Sequence, residues 1–499
     1  MPGTFTGFNK SRPGAYFNFT SEEVVNIPPA PGSIVALGIQ HDWGPWKQVR
    51  LVQSYQEFLA TYGDSDTSGK LAVKQAFVGE GYDDRAGAGG VLVYRYGPGA
   101  AVKASSTLQS AEATPAATLT LTALNEGTKG NSIRRHVEDT PGITSSNDLV
   151  LTEVGTGREL ERYTHADTDM PGLAAAINAR SLFVRAAVTT GSEAKPLWAA
   201  SGTNAAINGT PTALTGGTDG TGTLGPTDFS AMRTAFEFER FGIFCVAGLT
   251  DSSEHTALRT WALSRNQSGH RFRVLIGGGS ENVAAANTRS TTMNSPYVLN
   301  TGGYTVIYDD DGTQRTLYGA DLAPRIAGIL ASRGETRSAT FARMAGLTLS
   351  VPPSSADVDT AFNAGTIVLS RGFGANPVRI EKSLTTYTTR TNPKVPYAIY
   401  RNPKFMASME SLEVEVTDLS EGPGIIGELG VNDDTRAALV AIMNERLGVR
   451  EGAGIIQGGW SVGIEQNPPP SDDDEFVALR YSLRFMRTVE QVYGTVVVA

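Results

Sequence analysis

The chain has 499 residues, 40% hydrophobic and 19% charged, which is too long for one ordinary domain and too apolar for a disordered polymer. Against 51 Asp and Glu stand 42 Lys and Arg, a formal net charge of −9, which disfavours phosphate backbones and anionic membranes as partners. The single cysteine, Cys245, excludes an intrachain disulfide and reads as a buried strand residue in the apolar run Phe241–Ala247, which fits synthesis in a reducing compartment. Met1–Gly14 lacks the apolar stretch of a signal peptide, and no run of ~18 apolar residues is present to span a membrane.

In chain order, Ala15, Tyr16, Phe17, Asn18 and Phe19 form a strand-like segment after Arg12-Pro13, set off by Pro28, Pro29 and Pro31. This predicts an extended arm. Helices are expected near Ser54–Tyr62 and Leu71–Gly79, and a strand at Val91–Tyr96. From Ser105 to Gly217 the chain turns rich in Thr, Ala, Gly and Ser. Strands are expected at Leu119–Leu124, Ile133–Glu138, Asp148–Val154, Glu159–His165 and Phe183–Thr190, with a short helix at Leu173–Arg180. Closely spaced strands with polar turns predict a mostly antiparallel β domain, inserted into its host.

Past Gly216 the pattern alternates. Helix Phe229–Arg240 leads into strand Phe241–Leu249. Asp251 or Ser252 can cap a helix reaching Gln267, with Gly269 as its stop, and strand Phe272–Ile276 follows. Apolar strands separated by helices predict a parallel sheet covered on both faces. Tyr304–Tyr308 and Thr313–Tyr318 form a hairpin turning at Asp310–Gly312. Asp321–Ala331 and Asp357–Asn363 are helical, and Thr366–Ser370 is a strand. Beyond residue 390, helices are expected at Arg401–Thr417 and Asp433–Leu447. The second carries a stripe of Leu439, Ile442, Met443 and Leu447, with Gly448 as its cap. Trp460–Ile464 and Leu479–Phe485 alternate as strands, and Val489–Val498 is a further β-prone run with nothing after it to cover it.

Candidate chemistry is weak throughout. Gly220–Gly225 matches a G-x-G-x-x-G pattern, but it follows a Thr/Gly loop and Pro226 separates it from the helix, so it reads as a connector. Gly277–Gly279 follows a strand but lacks the rest of a nucleotide fingerprint. His165, Asp167 and Asp169 could hold a metal but read as a solvated turn, and Asp309–Asp311 and Ser471–Glu475 lack calcium-loop spacing. Asp251, His255 and Ser280 are the ingredients of a triad with no nucleophile elbow around them. Neither catalysis nor a cofactor is expected.

Several stretches together resemble the sheath proteins of contractile phage tails and related injection particles. Lys10–Phe19 resembles the N-terminal arm of that family. Leu214–Gly220 with Asp228-Phe229 resembles the start of its central domain, Ala364–Leu369 and Ile380–Thr386 resemble that domain's end, and Thr488–Val498 resembles the terminal strand. The order of these stretches, spread over nearly the whole chain, carries the likeness.

The resemblance implies an α/β multidomain protein with a central subtilisin-like but non-catalytic α/β domain, an inserted antiparallel β domain facing outward, and an α+β C-terminal domain with exchange strands. Expected boundaries are an arm at 1–30, the N-terminal part of the body at 31–104, the insertion at 105–217, the central domain at 218–388, a tube-facing domain at 389–487 and a terminal strand at 488–499. Subunits would polymerise around an inner tail tube protein, meet baseplate and tail terminator proteins, and contract to drive the tube through a bacterial envelope. The expected setting is the virion tail, assembled in the host cytoplasm, with no direct nucleic-acid contact and no membrane insertion. Strand exchange between subunits would use the arm residues Ala15–Phe19 together with Val489, Val492, Tyr493, Val496, Val497 and Val498. Arg436, Arg446 and Arg450 are expected as exposed cations facing carboxylates on the tube. The competing readings are an α/β hydrolase and a virion adhesive or receptor-binding protein.

Overall fold

The computed structural model describes residues 33–81, 86–143, 145–166, 168–199, 202–204, 206–308, 312–349, 351–371, 378–391, 397–409, 411–412, 433–464 and 479–486. At its centre is a seven-stranded sheet. Its strands run, from one edge to the other, Thr366–Ile367, Val298–Thr301, Arg273–Gly277, Ile243–Val246, Ile34–Ile39, Gly90–Arg95 and Val49–Val52. Every neighbouring pair is parallel except the last, where Val49–Val52 runs antiparallel to Gly90–Arg95. The interior strand Ile34–Ile39, fifth in this order, has Leu37 opposite Cys245 on one side and Val93 on the other. All six of its residues are buried, as a strand covered on both faces requires.

The pleat sorts that strand's side chains into two cores. Val35, Leu37 and Ile39 join a cluster with Phe58 and Tyr62 of helix Tyr55–Tyr62, Phe77 of helix Ser68–Val78, and Leu322, Ile326 and Ile329 of helix Gly319–Arg333. Ile34 and Ala36 face the opposite cluster, with Phe229 and Met232 of helix Pro226–Ala235 and Leu258 and Ala262 of helix Ser252–Gln267. The result is a three-layer α/β/α body. Gly328 lets two helices touch, since a Cβ there would meet the Ala76 carbonyl oxygen at 2.0 Å. Gly277 likewise lets the end of its strand meet the start of helix Gly319–Arg333, where a Cβ would lie 2.1 Å from the Gly319 carbonyl carbon. The residues before the insertion and those after it therefore build one sheet, not two successive units.

The chain leaves and rejoins this body across two antiparallel bridges, Val102 with Thr218 and Ser105 with Thr215. Between them lie a four-stranded antiparallel sheet, a three-stranded one and helix Met170–Arg180, packed around Leu119, Leu121, Val137, Leu149, Leu151 and Ile177. The join is fastened by Arg95. Its buried guanidinium donates to the carbonyls of His41 (2.6 Å), Gly44 (2.9 Å) and Glu126 (2.7 Å) and pairs with Asp219 at 2.9 Å.

The run expected as one strand, Thr366–Ser370, divides. Thr366–Ile367 closes the central sheet, whereas Leu369–Arg371 pairs with Val378–Ile380 in a small separate sheet. Helix Asp433–Gly452 passes through Gly448, so the expected cap at that glycine is corrected. Its stripe of Leu439, Met443 and Leu447 is buried against the antiparallel pair Ser461–Ile464 and Leu479–Ser482.

Candidate assembly surfaces

Among the described residues, the C-terminal unit has a two-stranded antiparallel sheet. Ser461–Ile464 and Leu479–Ser482 pair only with each other, so among the described residues each strand keeps one edge without a ladder partner. Ile464 faces Leu479 and Val462 faces Tyr481 across the pair, and helix Asp433–Gly452 covers one face. An edge of this kind offers a row of N–H and C=O groups to an incoming strand. The expected guests, Ala15–Phe19 and Val489–Val498, lie outside the described residues.

Of the three arginines expected on the tube-facing side, two lie half-buried on the helix. Arg436 pairs with Asp433 at 3.3 Å, and Arg446 has contacts of its own. Arg450 is different and corrects its expected exposure. It is 5% exposed, with its guanidinium 3.0 Å from Glu335 and donating to Ser411 Oγ at 2.6 Å, while Ser411 donates to Glu335 at 3.1 Å. The helix stays wound past Gly448 and carries Arg450 into the central body, so this arginine is an internal fastener.

The residues weighed for chemistry have structural work. Asp251 caps helix Ser252–Gln267, accepting from the amides of Ser253 (2.7 Å) and Glu254 (3.2 Å) and from the Ser253 hydroxyl (2.5 Å). The hydroxyl first, then the amides, hold its carboxyl below the usual range. His255 is buried and donates from Nε2 to the Leu249 carbonyl at 3.1 Å. Burial pulls its pKa down to about 4. Its Nδ1 has no hydrogen-bond partner among the described residues, and Ser280 sits exposed in the bend after Arg273–Gly277. These three are thus not joined as a triad. Gly220 and Gly222 have positive φ in the connector that follows the insertion, where Asp219 serves Arg95 and Thr128. Asp169 caps helix Met170–Arg180, Asp167 lies outside the described residues, and no metal-binding group of three appears among the described residues. Asp309–Asp311 and Ser471–Glu475 also lie outside them. Cys245 is fully buried, and burial pushes its thiol pKa well up.

With this geometry in place, residues 222–386 match the family model described as the phage tail sheath protein central domain. The chain superposes on the sheath tail protein of Desulfitobacterium hafniense with a TM-score of 0.67 at 17% identity, covering 95% of this chain and 100% of that one. The sheath tail protein of Listeria innocua gives 0.64 at 18% identity, covering 91% and 95%. The sheath complex of an extracellular contractile injection system in its contracted state gives 0.54 at 9% identity, with 98% of each chain covered. No curated protein matches the sequence. Residues 222–386 are thus similar to the central domain of phage tail sheath proteins, and the chain has a mixed α/β fold like that of the sheath proteins it superposes on.

Proposed function

We propose that this chain is a structural subunit of a contractile sheath, polymerising as a helical tube around an inner tube and contracting to drive that tube through a bacterial envelope. The observation that carries the reading is the end-to-end likeness to sheath proteins, anchored by the family match over 222–386. The alternative of a hydrolase loses support from Asp251 and His255, which are engaged in capping and in a buried carbonyl contact. The alternative of an adhesive fibre loses support from the central parallel sheet.

Within this reading the α/β body is a non-catalytic relative of the subtilisin fold, the insertion faces outward, and the C-terminal unit faces the tube. The two unladdered edges of Ser461–Ile464 and Leu479–Ser482 take Ala15–Phe19 and Val489–Val498 from neighbouring subunits. A backbone hydrogen bond contributes only about 1 kcal/mol net, but several per strand at every lattice point make a continuous mesh. Arg436 and Arg446 are the candidate tube contacts. Reversing both to Glu should weaken tube binding in a co-sedimentation assay, and unchanged binding removes them. Baseplate and terminator proteins would cap the ends of this virion component, which would assemble in the host cytoplasm. Sedimentation velocity of the purified chain tests the core of the proposal. Concentration-dependent polymers are expected, and a discrete monomer at all concentrations refutes it.

A further inference from the structure

Phe238 is 93% exposed, the largest exposure among the large hydrophobic residues of the described chain. It does not sit on a loose loop. Its turn follows helix Pro226–Ala235 and closes through Glu237 N to Thr234 O (3.1 Å) and Glu239 N to Phe236 O (3.2 Å). Arg265, itself buried, donates to the carbonyls of Phe236 (2.9 Å) and Glu237, and Trp261 Nε1 donates to the Glu237 carboxylate at 3.3 Å. Phe236 and Phe241, on either side, are buried with ring centroids 5.7 Å apart. The turn is thus stapled from both sides while one aromatic ring points to water. A rigid, solvated aromatic loses little conformational entropy on contact, which is how interface anchors work.

The same molecule has a matching hole. A pocket of about 290 Å³ has Leu349, Val368 and Leu369, all buried, in its floor and Val283, Tyr304 and Pro352 in its walls. A cavity of ~150 Å³ already takes a benzene ring, so there is room here for a phenylalanine side chain. The rim carboxylates are occupied. Both oxygens of Glu281 are held by Arg289 at 2.5 and 2.7 Å, and Asp357 accepts from Ser354 N and Oγ.

Topology places knob and hole at opposite ends of the body. Phe238 precedes strand Ile243–Val246, at the amino edge of the parallel sheet. The pocket follows Arg273–Gly277 and Val298–Thr301, at the carboxyl edge. They cannot meet within one molecule. Between two copies they meet head to tail, leaving a free knob at one end and a free hole at the other, and such a heterologous contact propagates into an open polymer.

We propose that Phe238 of one copy seats in the Val283–Tyr304–Leu369 pocket of the next, forming a body-to-body contact in addition to the strand mesh. This rests on the sheath reading above. The test uses the full-length chain. Phe238→Ser removes the knob, and Ala284→Trp, at an exposed position on the pocket rim, plugs the hole. Each variant should melt like the wild type and raise the polymerisation threshold about thirtyfold, the loss expected of a hot-spot aromatic. A mixture of the two can make this contact only in isolated pairs, so it should not regain the wild-type polymerisation threshold. A variant carrying both Phe238→Cys and Ala284→Cys should cross-link into a covalent ladder with a short bis-maleimide, with Cys245 too buried to contribute. Wild-type thresholds for both single variants, or polymers that yield no ladder, overturn the contact while leaving the sheath reading intact. A wild-type chain that never polymerises overturns both.

Discussion

Truncating Arg450 to alanine should destabilise the protein by about 2 kcal/mol. Breaking a buried ion pair by removing one partner typically costs about 3–5 kcal/mol, because the other charge is stranded. Here Arg450 is almost fully enclosed, while the Glu335 side chain keeps 23% of its exposure and can recover some water, which lowers the cost. Ser411 adds a bond in each direction, to Glu335 and from Arg450, so its hydroxyl loses a partner too. Local unfolding of the C-terminal unit should show the effect most clearly. Hydrogen exchange of the amides of helix Asp433–Gly452 should accelerate more than that of the central sheet. A double-mutant cycle with Glu335→Gln should return a coupling of about 1 kcal/mol or more. A change within about 0.5 kcal/mol, the range of an ordinary surface substitution, would refute the fastener and return Arg450 to the exposed cations.

Three further outcomes are expected. Removing Val489–Ala499, or separately Met1–Phe19, should leave folded subunits that form no long tubes, read by sedimentation and microscopy; normal tubes would show that the deleted arm is not a link. Replacing 105–217 with a short Gly/Ser linker should leave a folded, assembling body, because the Val102–Thr218 bridge, outside the replaced segment, keeps the two ends together, and an unfolded product on circular dichroism would contradict this. The unfolded His255 imidazole titrates near 6.5 and the buried one at about 4, so between these values the unfolded chain binds more protons. That stability is complete above about pH 6.5 and is lost as pH falls toward 4, by up to about 3 kcal/mol. Denaturation of His255→Gln against the wild type at pH 7 and pH 4 should show that difference, and parallel pH profiles would refute it.

The elements that sequence reading recovers are those with local signals. Helix Ser252–Gln267 has its Asp251 cap, and the hairpin Tyr304–Tyr308 with Gln314–Tyr318 has its β-branched and aromatic runs. Ile34–Ile39 carries no decisive local signal although it lies inside the central sheet. An apolar run of six is compatible with several elements, and only its non-local partners at Val93 and Cys245 decide. Helix Val283–Met293 has no clear sequence signal because Ala284–Thr292 is rich in Thr, Ser and Asn. It forms because Asn282 caps it, Asn294 closes it in the left-handed region, and Thr288, Thr291 and Thr292 return their hydroxyls to carbonyls one turn back. Gly448 failed as a stop because packing beyond it, through Arg450, outweighs the intrinsic cost of one glycine. The candidate knob carries no sequence pattern at all. Phe236, Phe238 and Phe241 look alike in the string, and only the fold buries two of them and exposes the third.

Electron microscopy of the purified full-length chain tests the central claim most directly. Hollow helical tubes or stacked rings, wide enough to enclose an inner tube, are the predicted result. A monodisperse particle that forms no tubes or rings at any concentration, with or without an inner tube to assemble on, would contradict it.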